Sequence, residues 1–326
     1  MRPKFVAGRE LGTAVLLVLV MIAAGLKEPR YLQPSSLESI LLWIPLLLIV
    51  GVGQMTVIVT RGIDVSVGSM VGLSAMAVGL LLRSKPGLNL GVDVLAGVST
   101  GLLFGAINGV LVAFAGIPPI IVTLGTLSAY RGLIFVISHS EQIDANFIPA
   151  ALTKWSSDGP ITIGGVVLPW ILVIALAVAA GAAWSVKFSR TGRDIFAYGS
   201  NPEAARLRGI PVKRIQFLVY ALTGALCGLA GVLYASRFGF VNPSTAGQGL
   251  ELIVIAAVVI GGTNIVGGSG TVLGVLLGCC VLGAINVALA VLGIDETWQQ
   301  LVYGAVILTA VLVDAVVRKT GKGTAK

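Results

Sequence analysis

Charge is what this sequence has least of. Lys, Arg, Asp and Glu together supply 11% of its 326 residues, against roughly 25% in an average soluble domain, while apolar residues reach 56%. So few charges cannot solvate the two or three soluble domains that the length would otherwise suggest. Cysteine is nearly missing as well: Cys227, Cys279 and Cys280 all sit inside apolar runs. Neighbours 279 and 280 point to different faces of a helix, so no disulfide framework follows. With His139 as the one histidine and no Cys/His cluster, no metal site is expected. No nucleophile and base recur at a helical spacing, and no catalytic residue is assigned. The apolar/polar alternation over about 10 residues that marks an outer-membrane barrel strand is absent too. Leu11 to Leu26 and Leu37 to Val59 are instead nearly unbroken apolar runs.

Such runs read as membrane-spanning helices, because in lipid a chain must satisfy its own backbone hydrogen bonds. They fall at about 11 to 26, 37 to 60, 65 to 82, 90 to 116, 117 to 137, 165 to 186, 215 to 236, 250 to 266, 270 to 293 and 297 to 317. The expectation is an all-α integral membrane protein with about ten spans, residues 1–326 forming a single transmembrane domain. The first span, preceded by Arg2, Lys4 and Arg9, also has a signal-peptide reading, against which Lys27, Glu28 and Pro29 make a poor cleavage flank. The net charge of +8 would suggest nucleic acid in a soluble protein, but a membrane protein gathers basic residues in its cytoplasmic loops; no nucleic-acid partner is expected. With the N-terminus inside, the inner segments hold 15 Lys and Arg and the outer ones 6, Arg131 alone falling within a span. Both termini are thus expected to be cytoplasmic.

Two polar segments interrupt the membrane body. Residues 138–164 should face outward, and 187–214, with seven basic residues against Asp194 and Glu203, should face the cytoplasm. An internal repeat is also visible. Asp64-x-Ser66 is followed by Gly105-Ala106-Ile107-Asn108, and Asn242-x-Ser244 by Gly283-Ala284-Ile285-Asn286, both pairs at an offset of 178 residues. In the ten-span topology the repeated segments run in opposite directions, which makes two inverted pseudo-symmetric halves. In a chain so rich in Gly, Ala and Ile, chance also produces matches of this kind.

Within 187–214, Ser200 or Asn201 can cap a short helix, and Glu203 three residues after Ser200 would complete a capping box. Pro202 suits the first turn and Gly209 the end. The small faces of Ala204 and Ala205 would let this helix press into a groove on another protein, with Arg206 and Arg208 meeting acidic residues there. A basic loop lying on anionic headgroups fits the same residues equally well.

Glu203-Ala204-Ala205 followed by Gly209 resembles the coupling motif of bacterial ABC importer permeases. Arg61-Gly62-Ile63-Asp64-Val65-Ser66-Val67-Gly68-Ser69, Pro118-Pro119-Ile120-Ile121-Val122-Thr123-Leu124-Gly125-Thr126 and Ala256-Ala257-Val258-Val259-Ile260-Gly261-Gly262 are similar to the ribose-type monosaccharide permeases. Arg61, Asp64-Val65-Ser66 and Tyr130-Arg131-Gly132 look closest to the subgroup that moves rhamnose or the furanose-like autoinducer-2 signal. The resemblance covers about residues 40 to 315. It implies an inner-membrane permease with two cytoplasmic ATPase subunits, a second permease subunit, identical or paralogous, and a periplasmic sugar-binding protein. It also implies coupling to the ATPase through Ser200, Asn201, Pro202, Glu203, Ala204, Ala205, Arg206 and Gly209. This chain itself would bind no cofactor, ATP and magnesium being held by the partner. In keeping with that, its Gly321-Lys322 pair has Val316 and Gly323 where a phosphate-binding loop needs Gly and Ser or Thr.

Polar groups inside the spans mark the candidate passage. Gln54, Asn108, Thr123, Thr126 and Asn286 supply uncharged hydrogen-bonding groups suited to a sugar, or else interhelical bonds. Arg131 would bind sugar hydroxyls or serve structure by snorkelling outward. Asp64, three residues after Arg61, is expected to pair with it. Trp43, Trp170, Trp184 and Trp298 read as interfacial anchors, and Gly261 to Gly270 as a tight cytoplasmic turn. The alternative from another class is an ion-coupled secondary transporter, but its carboxylate candidates Asp64, Asp93, Glu251 and Asp314 all fall near span ends.

Overall fold

The computed structural model describes residues 3–295 and, beyond them, positions 298, 301, 302, 304, 305, 308 and 309, with backbone alone for 3–8. Helix formation follows the apolar runs. α1 (Pro3–Lys27), α2 (Pro34–Val59), α3 (Val67–Ser84), α4 (Leu90–Ala113), α5 (Pro119–Ser138), α7 (Trp170–Phe188), α10 (Val212–Phe238) and α12 (Val272–Val291) contain the eight stretches, among the described residues, that are long and apolar enough to cross a membrane. The eighth expected span is different. Its helix, α11 (Leu250–Ile260), has 11 residues, or roughly 16 Å at 1.5 Å per residue, about half the hydrocarbon core. Residues 239–249 ahead of it make turns rather than helix, with Gly239, Gly247 and Gly249 all at positive φ. The tenth expected span, 297 to 317, lies largely outside the described residues.

Residues 138–164 are more ordered than a loop. They contain α6 (Ala150–Ser157), and β1 (Ile161–Ile163) pairs antiparallel with β2 (Val166–Leu168) across Gly164-Gly165. Both glycines have positive φ, as a two-residue hairpin turn requires. This cap is tied down at one end of the bundle: Ser236 Oγ donates to Leu152 O at 2.7 Å, and Val167 N–H to Glu38 Oε1 at 2.8 Å.

The repeat organises the core. Adding 178 to the limits of α2 gives 212–237, which is α10 within a residue; α4 maps to 268–291, ending where α12 ends, and α3 to 245–262, which encloses α11. α10 packs on α4, and its counterpart α2 packs on α12, so the halves exchange partners. Tyr198 and Gln216 join the start of α10 to the segment that abuts the end of α2, so the two related helices are antiparallel and the repeat is inverted. The α4–α10 crossing rests on glycine. A Cβ at Gly224 would lie 2.6 Å from the Gly105 Cα, and one at Gly101 would strike the Gly224 carbonyl, so the two backbones touch as small-residue membrane interfaces permit.

Candidate functional site

The basic segment begins with a helix that the sequence did not announce, α8 (Arg190–Ser200), capped by Ser189 Oγ, which accepts from Gly192 N–H at 2.9 Å. It is followed by α9 (Pro202–Leu207). Here the expected capping box is corrected. Asn201 is the cap, its Oδ1 accepting from Ala204 N–H at 3.0 Å, while Ser200 ends α8 and donates to Phe196 O at 2.8 Å. The carboxamide of Asn201 reaches the third residue of its helix, so Ser200 is left to the preceding one and Glu203 points out, exposed. Gly209 has φ +74° and stops α9 as expected.

The predicted docking face is corrected as well. Ala205 is 3% exposed and packs inward, and Ala204 is half-buried. The outward face carries Glu203, Arg206 and Arg208, with Leu207 at 91% exposure. Sequence alone could not see this, because a helix of six residues has too few turns to display a periodicity.

Arg61 does not pair with Asp64. Its Nε donates to Gly199 O at 2.7 Å and its Nη2 to Ser200 O at 2.9 Å, at the end of α8. The glycine turn closes the same junction: Gly268 N–H donates to Val59 O at 3.0 Å. Arg9 Nη1 donates to Gly262 O at 3.0 Å, which brings the start of α1 to this end of the molecule.

Asp64 turns into the bundle. Its Oδ1 accepts from both Ser66 N–H (2.8 Å) and Ser66 Oγ (2.6 Å). Asn108 Nδ2 donates to Ser66 Oγ at 2.8 Å, and Tyr130 Oη donates to Asn108 Oδ1 at 3.0 Å. Gln54, with its amide oriented to satisfy both bonds, meets the Asp64 backbone N–H and C=O at 3.2 Å, and Thr123 donates to Ile63 O at 3.2 Å. Thr126 follows one turn along α5 and donates to Thr123 O at 3.4 Å. Four of the six candidate passage residues thus gather around residues 63–66, fully or almost fully buried. Tyr130 completes the cluster; in the sequence it stands within Tyr130-Arg131-Gly132, where its hydroxyl is the one available signal. Arg131 lies apart and donates to Ala246 O at 2.6 Å, ahead of α11. Asn286 is also separate.

Asn286 lines a recess of about 450 Å³ with Ser36, Ser39, Trp43 and Arg237. The Arg237 guanidinium lies 4.7 Å over the Trp43 ring, so that indole is a stacking partner rather than a free anchor. A second recess, about 510 Å³, is lined by Val112, Pro118, Arg206, Lys213 and Gln216. The offset of 178 carries Val112 to Ala290 and Ser35 to Lys213, residues that line the two recesses in turn. The recesses are therefore counterparts at opposite ends of the molecule.

The family described as branched-chain amino acid transport system, permease component, matches residues 36–311. The autoinducer 2 import system permease protein LsrC of Escherichia coli (strain K12 / DH10B) is 35% identical over 310 residues, covering 95% of this chain and 88% of the relative. The protein of the same name from Salmonella paratyphi B is 35% identical over 317 residues, covering 97% and 88%. No solved structure matches the chain. A continuous match over nearly all spans, together with an all-helical membrane body, shows that the chain belongs to this family of transport-system permease components and is the permease subunit of an ABC-type importer, not an enzyme.

Proposed function

We propose that this chain forms the translocation pathway of an ATP-driven importer for a monosaccharide or a related small polyol-like molecule of the ribose, rhamnose or autoinducer-2 type. The observation that carries this reading is the near full-length similarity to permease proteins of autoinducer 2 import systems. The polar residues support it. The Asp64–Ser66–Asn108–Tyr130 chain and the recess at Trp43, Arg237 and Asn286 offer hydroxyls, amides, an indole and a guanidinium, the mixture that fixes a polyhydroxylated ligand.

In this reading the end bearing Arg61, α8 and α9 is cytoplasmic, in line with the excess of basic residues in the corresponding segments, and the protein sits in the inner membrane. Leu207, Arg206 and Glu203 dock in a groove of the partner ATPase, which holds ATP and magnesium. A second permease subunit, identical or paralogous, completes the pathway. A periplasmic binding protein meets the opposite end, where α6 and the β1–β2 hairpin form a cap. Alternating access follows from inverted halves, because exchanging the conformations of two related halves converts an outward opening into an inward one.

The test is uptake into vesicles containing all subunits, with a panel of labelled furanose and pyranose sugars and autoinducer-2. Uptake of one member should persist with ATP inside and an uncoupler present. Arrest of uptake by the uncoupler while ATP stays high would return the ion-coupled alternative.

A further inference from the structure

Arg61 occupies a backbone position for which the repeat supplies its own control. The offset of 178 pairs Arg61, at the end of α2, with Gly239, at the end of α10. Both are left-handed, with φ of 67° and 68°. Glycine adopts that conformation freely, whereas a Cβ crowds the neighbouring carbonyl. Just downstream the halves remain alike: Asp64 Oδ1 accepts from Ser66 N–H at 2.8 Å, and Asn242 Oδ1 from Ser244 N–H at 2.9 Å. The second half thus carries the residue that the turn calls for, and the first half carries arginine in the same turn. Strain confined to one of two matched turns directs attention to the side chain.

That side chain holds the last carbonyls of α8, those of Gly199 and Ser200. Helix-end carbonyls lack intrahelical donors, and a cation there also meets the negative end of the helix dipole. The junction leaves no room for slippage. A Cβ at Gly199 would collide with the Val59 carbonyl, and one at Gly267 would lie 2.5 Å from the Arg61 Cγ. Three residues beyond Arg61, Asp64 opens the buried chain through Ser66 and Asn108 to Tyr130, which joins the α2–α3 linker to α4 and α5.

The geometry points to Arg61 as a transmission link that converts movement of the α8–α9 segment into movement of the α2–α3 linker and of the polar chain behind it. This rests on the proposal that α8 and α9 dock the ATPase. Arg61 touches no substrate; it is a positioning residue, and its bidentate hold makes the two segments move as one body.

The test uses the full complex of both permease subunits, ATPase and binding protein in vesicles, with Arg61→Gly and Arg61→Lys. Glycine removes the link and relieves the strained backbone, so folding is favoured. Arg61→Gly should retain the ATPase and continue to hydrolyse ATP, with sugar taken up per ATP reduced at least tenfold; lysine, a single-point donor, should restore part of that ratio. An unchanged ratio in Arg61→Gly overturns the inference. So does an equal fall in hydrolysis and uptake accompanied by a lower thermal midpoint, which would make Arg61 a staple of the fold. If Arg61→Gly does not accumulate, the ratio in Arg61→Lys decides: a lowered ratio supports the link, and a normal one overturns it. Failure of the docking proposal is read separately, from full ATPase retention by Leu207→Asp, which leaves the Arg61 ratio unaffected.

Discussion

Replacing Leu207 with aspartate separates a docking helix from a helix that merely folds back on its own chain. Leu207 is 91% exposed, so the substitution removes almost no contact within this protein, and thermal stability in detergent should be unchanged. In a partner's groove the same side chain would be buried. Full burial of a leucine contributes about 1.5–3 kcal/mol, which corresponds to roughly 10- to 150-fold in affinity, and a carboxylate forced into that groove adds its own desolvation cost. ATPase recovered with the affinity-purified permease should therefore fall at least about tenfold. Ala205→Trp provides the contrast. Ala205 is 3% exposed and belongs to the buried apolar core. Overpacking at such a site costs about 1–3 kcal/mol, so this variant should lower the thermal midpoint before it lowers ATPase binding. Leu207→Asp with full ATPase retention would refute the assignment of the outward face as the docking face.

Gly224→Leu should separate α4 from α10, because the added side chain meets the Gly105 Cα and the Gly101 carbonyl; a loss of about 3 kcal/mol or more, seen as a marked drop in thermal midpoint, is expected, whereas Gly181→Ala, which opens into free space, should leave the midpoint unchanged. Asn108→Leu removes the donor to Ser66 Oγ and the acceptor of the Tyr130 hydroxyl. It should cost about 1–3 kcal/mol, and sugar uptake should fall while ATPase co-purification stays normal; uptake at the wild-type rate would exclude the polar chain from the pathway. Single cysteines at Ser157 and Arg193, both exposed, in a background lacking Cys227, Cys279 and Cys280, should react with an impermeant thiol reagent from opposite sides of the membrane. Labelling of both from one side would refute the placement of α6 and α8 at opposite faces.

Composition and apolar runs were enough to determine the all-α membrane class, the approximate limits of the long spans and the basic segment, and matching motifs suggested the repeat. These are one-dimensional quantities: burial in lipid requires a certain length of apolar helix, and the offset of 178 survives as matching residues because both halves solve the same packing problem. Pro202 and Gly209 were legible for a similar reason, since each constrains its own backbone. What lay beyond the sequence depended on which distant groups meet. The spacing of Arg61 and Asp64 suggested a pair, yet Arg61 is drawn to the carbonyls at the end of α8 and Asp64 to Ser66. Ala205 was a plausible contact for a partner until its burial against its own chain placed Leu207 outward. α11 read as a full span because the apolar run continues past Ile260, but positive-φ glycines before and after it shorten the helix to 11 residues. Helix length follows from local chemistry; which partner a side chain meets is settled by how the segments pack, as where Arg61 reaches Gly199, 138 residues on, rather than Asp64 three residues away, and only the tertiary structure decides that.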